Sequence, residues 1–258
     1  MNRRSALLLL PALILSFSAV RAAAAPADSR CYELRTYTAS AGKLDALLSR
    51  FRDHTVALFK KHGMTNVGYW TPVDNRDRKL IYLLSFPSRE ARDASFKAFG
   101  EDPEWRAAFK ESEKDGKLTD KIESRFLTAT DFSPAAPVAA GGPARVYELR
   151  TYTTGPGNLP KLLDRFRNHT VDLFAKHGMK NFGYWTPSAG DPDADNTLIY
   201  LLAHDSEAAQ AASFAAFRAD PVWVAAKAAS EKAAGGSLTV PDGVKSLTLI
   251  PTDFSAAK

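Results

Sequence analysis

The residues best suited to acid–base chemistry in this 258-residue sequence are two histidines on predicted helices, His54 and His169. His54 follows Phe51 by three residues and precedes Leu58 by four, so regular helical spacing predicts that these side chains share one face. On an amphipathic helix that face packs on the sheet, where an imidazole can act as an acid, a base or a ligand anchor. A core histidine that makes one hydrogen bond is the alternative.

Alternating polar residues on two predicted strands form a second candidate site. The first strand carries Glu33, Arg35 and Tyr37 on one face, because successive side chains of a strand point to opposite faces. The equivalent residues of a later strand are Glu148, Arg150 and Tyr152. Such a trio suits an acidic or carbonyl-bearing ligand. A cross-strand ion pair at a barrel interface explains it equally well.

Two aromatic pairs, Tyr69-Trp70 and Tyr184-Trp185, place one large ring on each face of a predicted strand. One ring can line a pocket while the other fills a core. Tyr69 and Tyr184 are the first candidates for a ligand contact, and Trp70 and Trp185 are the second.

Four further residues have a structural explanation as well as a functional one. His62 and His177 directly precede a predicted helix-ending glycine, where a positive charge stabilises the helix end, and both remain secondary ligand candidates. Trp105 and Trp223 follow Asp-Pro at a predicted helix start and are expected to be packing anchors.

The residue spacing does not support metal, nucleotide or hydrolase chemistry. His54 and His62 are separated by about 80° around a helix and have no carboxylate at ligand spacing, so no metal site is predicted. Nucleophile elbows, phosphate-binding glycine loops and dinucleotide fingerprints are absent from the sequence, and no cofactor is predicted. Cys31 is the only cysteine, which excludes an intrachain disulfide.

These candidates recur because the sequence repeats itself at an offset of 115 residues (147 − 32). From Tyr32 to Pro72, 29 of 41 residues are identical to their partners. Within each copy the periodicity predicts a strand, a helix, two strands, a helix, an extra short helix and a final strand. This β-α-β-β-α-β order is the ferredoxin-like arrangement and belongs to the α+β class.

The two copies predict two ferredoxin-like domains, at residues 29–133 and 144–255, joined by a Pro/Ala/Gly-rich linker at 134–143. A four-stranded sheet with helices on one face leaves its other face apolar, and two such sheets can bury those faces together. Ten extended residues reach roughly 33 Å, which allows pairing within one chain. We therefore expect an intrachain pseudo-dimer that forms a dimeric α/β barrel. Pairing between chains, as a homo-oligomer, is the alternative.

Residues 1–25 have the pattern of a cleavable signal peptide, with Arg3 and Arg4 before an apolar stretch and small residues from Ala22 to Ala25. The paired arginines faintly resemble a twin-arginine signal. The apolar stretch is shorter than a membrane span needs, so we expect a periplasmic or secreted protein without stable membrane insertion. Cleavage after Ala24 lowers the formal net charge from +5 to +2 (5 − 3), a balance that argues against a nucleic-acid partner.

Several motifs in fixed order resemble the NIPSNAP family: Tyr-Glu-Leu-Arg-Thr-Tyr, Lys-His-Gly-Met, Gly-Tyr-Trp-Thr, Leu-Ile-Tyr-Leu-Leu and Asp-Pro-x-Trp. The resemblance covers both copies and implies the dimeric α/β barrel fold. It implies no particular reaction, since family members generally lack an agreed one. Related barrels include cofactor-free monooxygenases, haem-handling enzymes and isomerases, which is an analogy of fold.

The sequence favours an exported NIPSNAP-like barrel that binds a small, partly aromatic or acidic molecule in a helix–sheet cleft of each half. The expected polar contacts are Arg35, His54 and Tyr69 with their partners Arg150, His169 and Tyr184. One alternative is a non-enzymatic protein-interaction module. Another is a cofactor-independent monooxygenase or isomerase that uses the histidine as a base. Open clefts favour binding or catalysis, whereas filled clefts beside a large apolar patch favour the interaction module.

Overall fold

The structure is a computed structural model that describes residues 28–134 and 145–258. The signal peptide predicted at residues 1–25 lies outside the described residues, as does the predicted linker apart from Pro134. Within the two described ranges, no helix has both the length and the apolar character needed to cross a membrane.

Between residues 28 and 134 the chain forms four strands and four helices, with a π-helical segment between the first two helices. These elements are β1 (Cys31–Ala39), α1 (Leu44–Arg50), the π-helical segment Phe51–Thr55, α2 (Val56–Lys61), β2 (Thr65–Pro72), β3 (Lys79–Phe86), α3 (Arg89–Glu101), α4 (Pro103–Ser112) and β4 (Thr119–Ala129). Helix starts agree with the sequence: the Ser88 and Asp102 side chains accept backbone N–H groups at 3.2 and 2.8 Å. Gly63 has a φ of +79° and follows α2, as expected of a helix-ending glycine.

The second half, from residue 145 onwards, repeats this order. Its elements are β5 (Val146–Thr154), α5 (Leu159–Arg165), the π-helical segment Phe166–Thr170, α6 (Val171–Lys176), β6 (Lys180–Pro187), β7 (Thr197–His204), α7 (Glu207–Ala219), α8 (Pro221–Ala234) and β8 (Thr239–Pro251). The β-α-β-β-α-β order predicted for each copy is therefore confirmed.

The eight strands close into one antiparallel barrel, in the order β1-β3-β2-β8-β5-β7-β6-β4. Each half contributes four neighbouring strands in the ferredoxin-like order. The halves meet where β2 pairs with β8 and where β4 pairs with β6. Closure leaves no free sheet edge, and it confirms the predicted α/β barrel with an intrachain pseudo-dimer.

The four strands of each half are buried on both faces. The face towards the barrel axis packs against the other half through large apolar side chains, including Tyr32, Trp70, Tyr147 and Trp185. The outer face packs under the helices of its own half, through side chains such as Phe51, Tyr69 and Tyr82 or Phe166, Tyr184 and Tyr200. The Glu-Arg-Tyr trios lie on this outer face, so they belong to the helix–sheet layer and not to the barrel interior.

The halves also exchange the segments that follow β4 and β8. Phe132, after β4, packs against Phe166 and Tyr184 of the second half at ring-centroid distances of 6.4 and 5.5 Å. The Tyr184 N–H donates to Ser133 Oγ at 3.0 Å. The first half therefore completes the helix–sheet core of the second.

The reciprocal contact uses Phe254, after β8, which packs against Phe51 and Tyr69 at 6.5 and 5.5 Å. The Tyr69 N–H donates to Ser255 Oγ at 2.9 Å. Two ion pairs with paired hydrogen bonds, Arg52–Asp253 and Arg167–Asp131, lie beside these rings. Because the ion pairs are exposed, the aromatic packing contributes most of the stabilisation.

Candidate functional site

An open cleft lies between the sheet and the helices of each half. The first cleft, in the first half, has a volume of about 350 Å³ and aromatic walls that include Phe96, Phe99, Trp105 and Phe109. The second cleft has a volume of about 480 Å³, and Phe214, Phe217 and Trp223 line it. Both volumes fall within the range of small-molecule sites.

Glu33 lies at the centre of a buried polar cluster beside the first cleft. Its carboxylate accepts two hydrogen bonds from Arg92 at 2.8 Å, one from Ser124 at 2.5 Å and one from Arg35. Burial alone would raise the pKa of Glu33, but these donors outweigh it and lower that pKa. The ion pair considered from sequence is present, although it runs along β1 and to α3 instead of across a barrel interface.

Arg35 connects this cluster to the aromatic wall of the first cleft. Its Nε–H donates to the Tyr82 hydroxyl at 2.9 Å, and its Nη2 donates to the Tyr37 hydroxyl at 3.3 Å. The guanidinium carbon lies 5.1 Å from the Phe96 ring centroid. Tyr37 and Phe96 both line the cleft, so the predicted strand trio lies at its inner end.

The second half holds the equivalent carboxylate differently. Glu148 accepts hydrogen bonds from Arg150 and Ser246, and His204 Nε2 lies 3.3 Å from its Oε2 without hydrogen-bond geometry. Burial alone would raise the pKa of Glu148, but the nearby His204, the charge of Arg150 and the hydrogen bonds from Arg150 and Ser246 lower it to about 2. Gln210 stands where the first half has Arg92, at the offset of 118 residues (198 − 80) that follows the insertion.

Two buried arginines lie over the tryptophan rings, and of these Arg50 lines the first cleft whereas Arg165 does not line the second. Arg50 lies 5.5 Å from the Trp105 ring centroid, and Arg165 lies 5.1 Å from that of Trp223. Each tryptophan also packs on a phenylalanine with a centroid distance of 4.4 Å. These tryptophans are packing residues, as expected, and they form cleft walls as well.

The prediction that His54 and His169 face the sheet is wrong. Both histidines are exposed on the outer helix surface, and neither lines the first or second cleft. His169 instead lines a separate groove of about 270 Å³ against α8, together with Arg165 and Lys161. A ligand role for these histidines stays a prediction without support from the helix–sheet clefts.

The π-helical segments explain this error. A π-helical turn bonds residue i to residue i+5 and so contains one more residue than an α-helical turn. The extra residue rotates His54 away from the sheet and turns Thr55 inwards, where it is buried. The Thr55 hydroxyl donates to the Arg50 carbonyl at 3.1 Å, and Thr170 makes the same bond in the second half.

Tyr69 and Tyr184 lie in the helix–sheet cores and not on a cleft wall. Both side chains are fully buried, and their hydroxyls donate to Asn66 and Asn181. Burial raises the pKa of both tyrosines well above its ordinary value, so neither hydroxyl ionises near neutral pH. Their predicted ligand contacts find no support in this geometry.

Trp70 and Trp185 fill the barrel interior. Each ring folds back over a glycine of its own strand: a Cβ at Gly68 would lie 2.3 Å from Trp70 Cη2, and one at Gly183 would lie 2.2 Å from Trp185 Cη2. Both rings of each Tyr-Trp pair therefore serve a core, one on each face of the sheet. The expectation that one ring of each pair lines a pocket is wrong.

His62 and His177 each link the end of one helix to the junction between the next two helices of the chain. His62 Nε2 lies 2.7 Å from Asp102 Oδ2, and His177 Nε2 lies 2.8 Å from Asp220 Oδ2. Each aspartate also caps the next helix, so the histidines stabilise a helix junction. The sequence predicted that these histidines stabilise a helix end, but it did not predict their aspartate partners.

Sequence reasoning missed four residues that matter at the clefts: Arg50, Arg92, Arg165 and His204. His204 had a visible signal, because it replaces Phe86 in the repeat. The three arginines gave no such signal in the sequence, because their partners lie far away along the chain. Among the described residues, no group of three or more His, Cys, Asp or Glu could hold a metal ion.

A closed barrel built by two ferredoxin-like halves, with a cleft under the helices of each, defines the class of dimeric α/β barrels, here within one chain. The family model described as NIPSNAP matches residues 32–134 and 147–256. The chain therefore belongs to the NIPSNAP family. No curated protein matches it.

Solved structures with this fold include an anthrone oxidase-like protein, 14% identical with a TM-score of 0.58, matched over 90% of this chain and 95% of that chain. A provisionally named monooxygenase from Fusobacterium nucleatum subsp. nucleatum ATCC 25586 is 10% identical with a TM-score of 0.57, over 86% and 92%. A NIPSNAP family protein from Agrobacterium tumefaciens str. C58 is 25% identical with a TM-score of 0.37, over 41% and 97%. The first two similarities show the fold alone.

Proposed function

We propose that each half binds a small molecule with a flat, apolar body in its helix–sheet cleft. The observation that carries this proposal is that both halves keep an open, aromatic cleft at the same place. Concave apolar clefts of this size with a few polar groups are the usual form of small-molecule sites. Trp105 and Trp223 line the two clefts and are only half-buried, so part of each ring is open to an aromatic ligand.

The polar contacts in this proposal differ from those expected from sequence. Tyr37 lines the first cleft, and Arg150 and Tyr152 line the second, so the strand trio supplies the polar inner end. His54, Tyr69 and their partners are not part of the proposed sites. The ligand is therefore expected to insert its ring between the helices and to direct a polar group towards the strand.

The alternatives have less support. An interaction module was expected to have filled clefts, whereas both clefts are open. A cofactor-independent oxygenase or isomerase was expected to use a histidine as its base, and no histidine is among the lining residues of either cleft. The oxidase-like neighbour has the same fold, and fold similarity does not carry a reaction.

The proposal can be tested with the full chain labelled with 5-fluorotryptophan. Its four tryptophans report on two places: Trp105 and Trp223 line the clefts, and Trp70 and Trp185 fill the barrel. Fluorine NMR with 1-naphthalenemethanol, a flat neutral probe, should shift the two cleft signals and leave the two barrel signals in place. Single Trp→Phe variants assign the four signals.

Two results would reject this proposal. One is the absence of any shift at Trp105 and Trp223 up to the solubility limit of the probe. The other is an equal shift of all four signals, which would indicate loosening of the whole fold. A flexible alcohol of similar size is the matched control. It should leave the Trp105 and Trp223 signals in place, since the proposal requires a planar ligand.

We further propose that the protein is exported, which rests on the pattern of residues 1–25. Cleavage is expected within Ala22 to Ala25. N-terminal sequencing of the protein from periplasmic and culture fractions tests this expectation. Recovery of the chain with an intact N-terminus in the cytoplasmic fraction alone would contradict it.

A further inference from the structure

The rims of the two clefts differ in charge although the clefts occupy equivalent places. At the offset of 118 residues, Phe109 corresponds to Lys227 and Gly100 corresponds to Arg218. Lys227 and Arg218 both line the second cleft, whereas Phe109 forms part of the wall of the first. The second rim therefore has two positive side chains where the first has a ring and a glycine, although Lys117 of the first cleft corresponds to Gly235. Over all lining residues, the second cleft has three positive side chains and one negative, a net charge of +2, whereas the first has two positive and one negative, a net charge of +1.

Lys227 also changes the pairing of a buried arginine. In the first half, Arg50 Nη1 lies 3.0 Å from Glu113 Oε1. In the second half, Glu231 pairs with Lys227 at 2.6 Å, and the buried Arg165 forms no ion pair among the described residues. Burial lowers the pKa of Arg165, whose Nη1 donates a hydrogen bond to Ser230 Oγ at 3.3 Å. Arg165 lines the groove beside His169 and is not among the residues that line the second cleft, so the charges that face a ligand there are Arg150 and Arg218.

Arg150, at the inner end of the second cleft, has fewer partners than Arg35. Arg35 Nε–H donates to Tyr82, whereas Arg150 Nε and the Tyr200 hydroxyl both lack a partner among the described residues. Arg150 lines the cleft and lies 4.8 Å from the Phe214 ring centroid. The second cleft therefore combines an aromatic wall with a guanidinium at its inner end.

We propose that the second cleft selects small aromatic acids, whereas the first cleft takes neutral flat molecules. The ring of the acid lies against Trp223, and its carboxylate faces Arg150 with Arg218 at the rim. This inference rests on the proposed function, because it assigns a ligand class to each of the same two clefts. A charge-assisted hydrogen bond of this kind corresponds to a gain of about tenfold or more in affinity.

The test compares two probes of similar shape, the 1-naphthoate anion and neutral 1-naphthalenemethanol, on the full chain labelled with 5-fluorotryptophan. Naphthoate is expected to shift the Trp223 signal at concentrations about tenfold below those that shift Trp105. Naphthalenemethanol should shift both signals over the same concentration range. Equal naphthoate affinities of the two clefts, or a preference for the first, would overturn the proposal.

Exchanging rim residues between the halves supplies matched variants. Arg218→Gly with Lys227→Phe gives these two positions the side chains of the first half and should reduce the naphthoate preference below about threefold. Phe109→Lys should raise the naphthoate affinity of the first cleft. Unchanged Trp70 and Trp185 signals establish that each variant is folded.

The outcomes separate the two proposals. Folded variants that keep the full naphthoate preference would reject the rim charges as its cause, and with them this inference. If naphthalenemethanol binds both clefts while naphthoate shows no selectivity, the inference fails and the proposed function stands. If neither probe shifts either cleft signal, the proposed function itself fails.

Discussion

At the scale of single residues, two equivalent buried carboxylates are stabilised in different ways. Glu33 has Arg92, which reaches it from α3 across 59 positions of sequence, while Glu148 has His204 on the neighbouring strand. Alternation along a strand was enough to predict that glutamate, arginine and tyrosine share a face. It could not predict Arg92 or His204, because the first contact depends on how α3 packs over β1 and the second on which strand pairs with β5.

The pKa of Glu148 makes a prediction about stability. Its pKa of about 2 in the folded chain is below the unfolded value of 4.5, so its contribution is present above pH 4.5 and lost as pH falls towards 2. Between pH 6 and pH 3 this single group should remove about 2 kcal/mol from the free energy of unfolding. Glu148→Gln should reduce the stability at pH 6 and remove that part of the pH dependence.

Urea unfolding at pH 6 and pH 3 measures this effect. Asp195→Asn, which changes an exposed loop carboxylate, is the matched control and should leave the pH dependence close to that of the parent chain. A Glu148→Gln chain that lost as much stability between the two pH values as the parent would contradict the prediction.

At the scale of elements, hydrophobic spacing predicted which helices and strands form but not the local geometry of the first helix. The segment at residues 42–62 was expected to be one regular helix, and its ends were located well. The π-helical turn was invisible to that spacing, because in a regular helix His54 and Thr55, three and four residues after Phe51, both lie near its face. One extra residue in a turn decided which polar side chain faced the sheet.

Strand β2 requires a glycine at position 68. A Cβ there would lie 2.3 Å from Trp70 Cη2 and 3.1 Å from Ala257 Cβ, so Gly68→Ala forces the tryptophan ring out of its place in the barrel. We expect a loss of about 3 kcal/mol in the free energy of unfolding, at the upper end of the usual cost of overpacking. Chemical denaturation followed by tryptophan fluorescence measures it.

Gly100→Ala is the matched control, because Gly100 lies within helix α3 and a Cβ there meets no atom within 4 Å. This change should stabilise the chain by about 0.5–1 kcal/mol through helix propensity. If Gly68→Ala had the same free energy of unfolding as the parent chain, the requirement for a glycine at position 68 would be wrong.

At the scale of the whole molecule, the repeat predicted that two apolar sheet faces meet, and they do. It did not predict that Phe132 and Phe254 each cross to the other half, because helical or strand periodicity in one copy contains no information about its partner. The halves are therefore joined by strand pairing, by the barrel core and by two exchanged aromatic side chains.

These contacts predict that the halves stay together after the chain between them is cut. A protease site introduced within residues 135–144 should yield two fragments that elute together at the mass of the intact chain. They should separate only in denaturant, because separation exposes the whole barrel core to water. Size-exclusion chromatography with light scattering measures this, and separation of the cut halves in buffer would refute the prediction.

The exchange of Phe254 also limits when the first half can become complete during synthesis. Phe254 and Ser255 are made 125 residues after β4 ends (254 − 129), and Tyr69 lacks both of them until then. At ribosomal speeds of about 5–20 residues per second, this is a delay of roughly 6–25 s. During that interval the first sheet has one apolar face uncovered and two edges unpaired, the state in which a nascent chain is most prone to aggregate. A chain that folds through reciprocal exchange must therefore keep its first half soluble while the second is still being made.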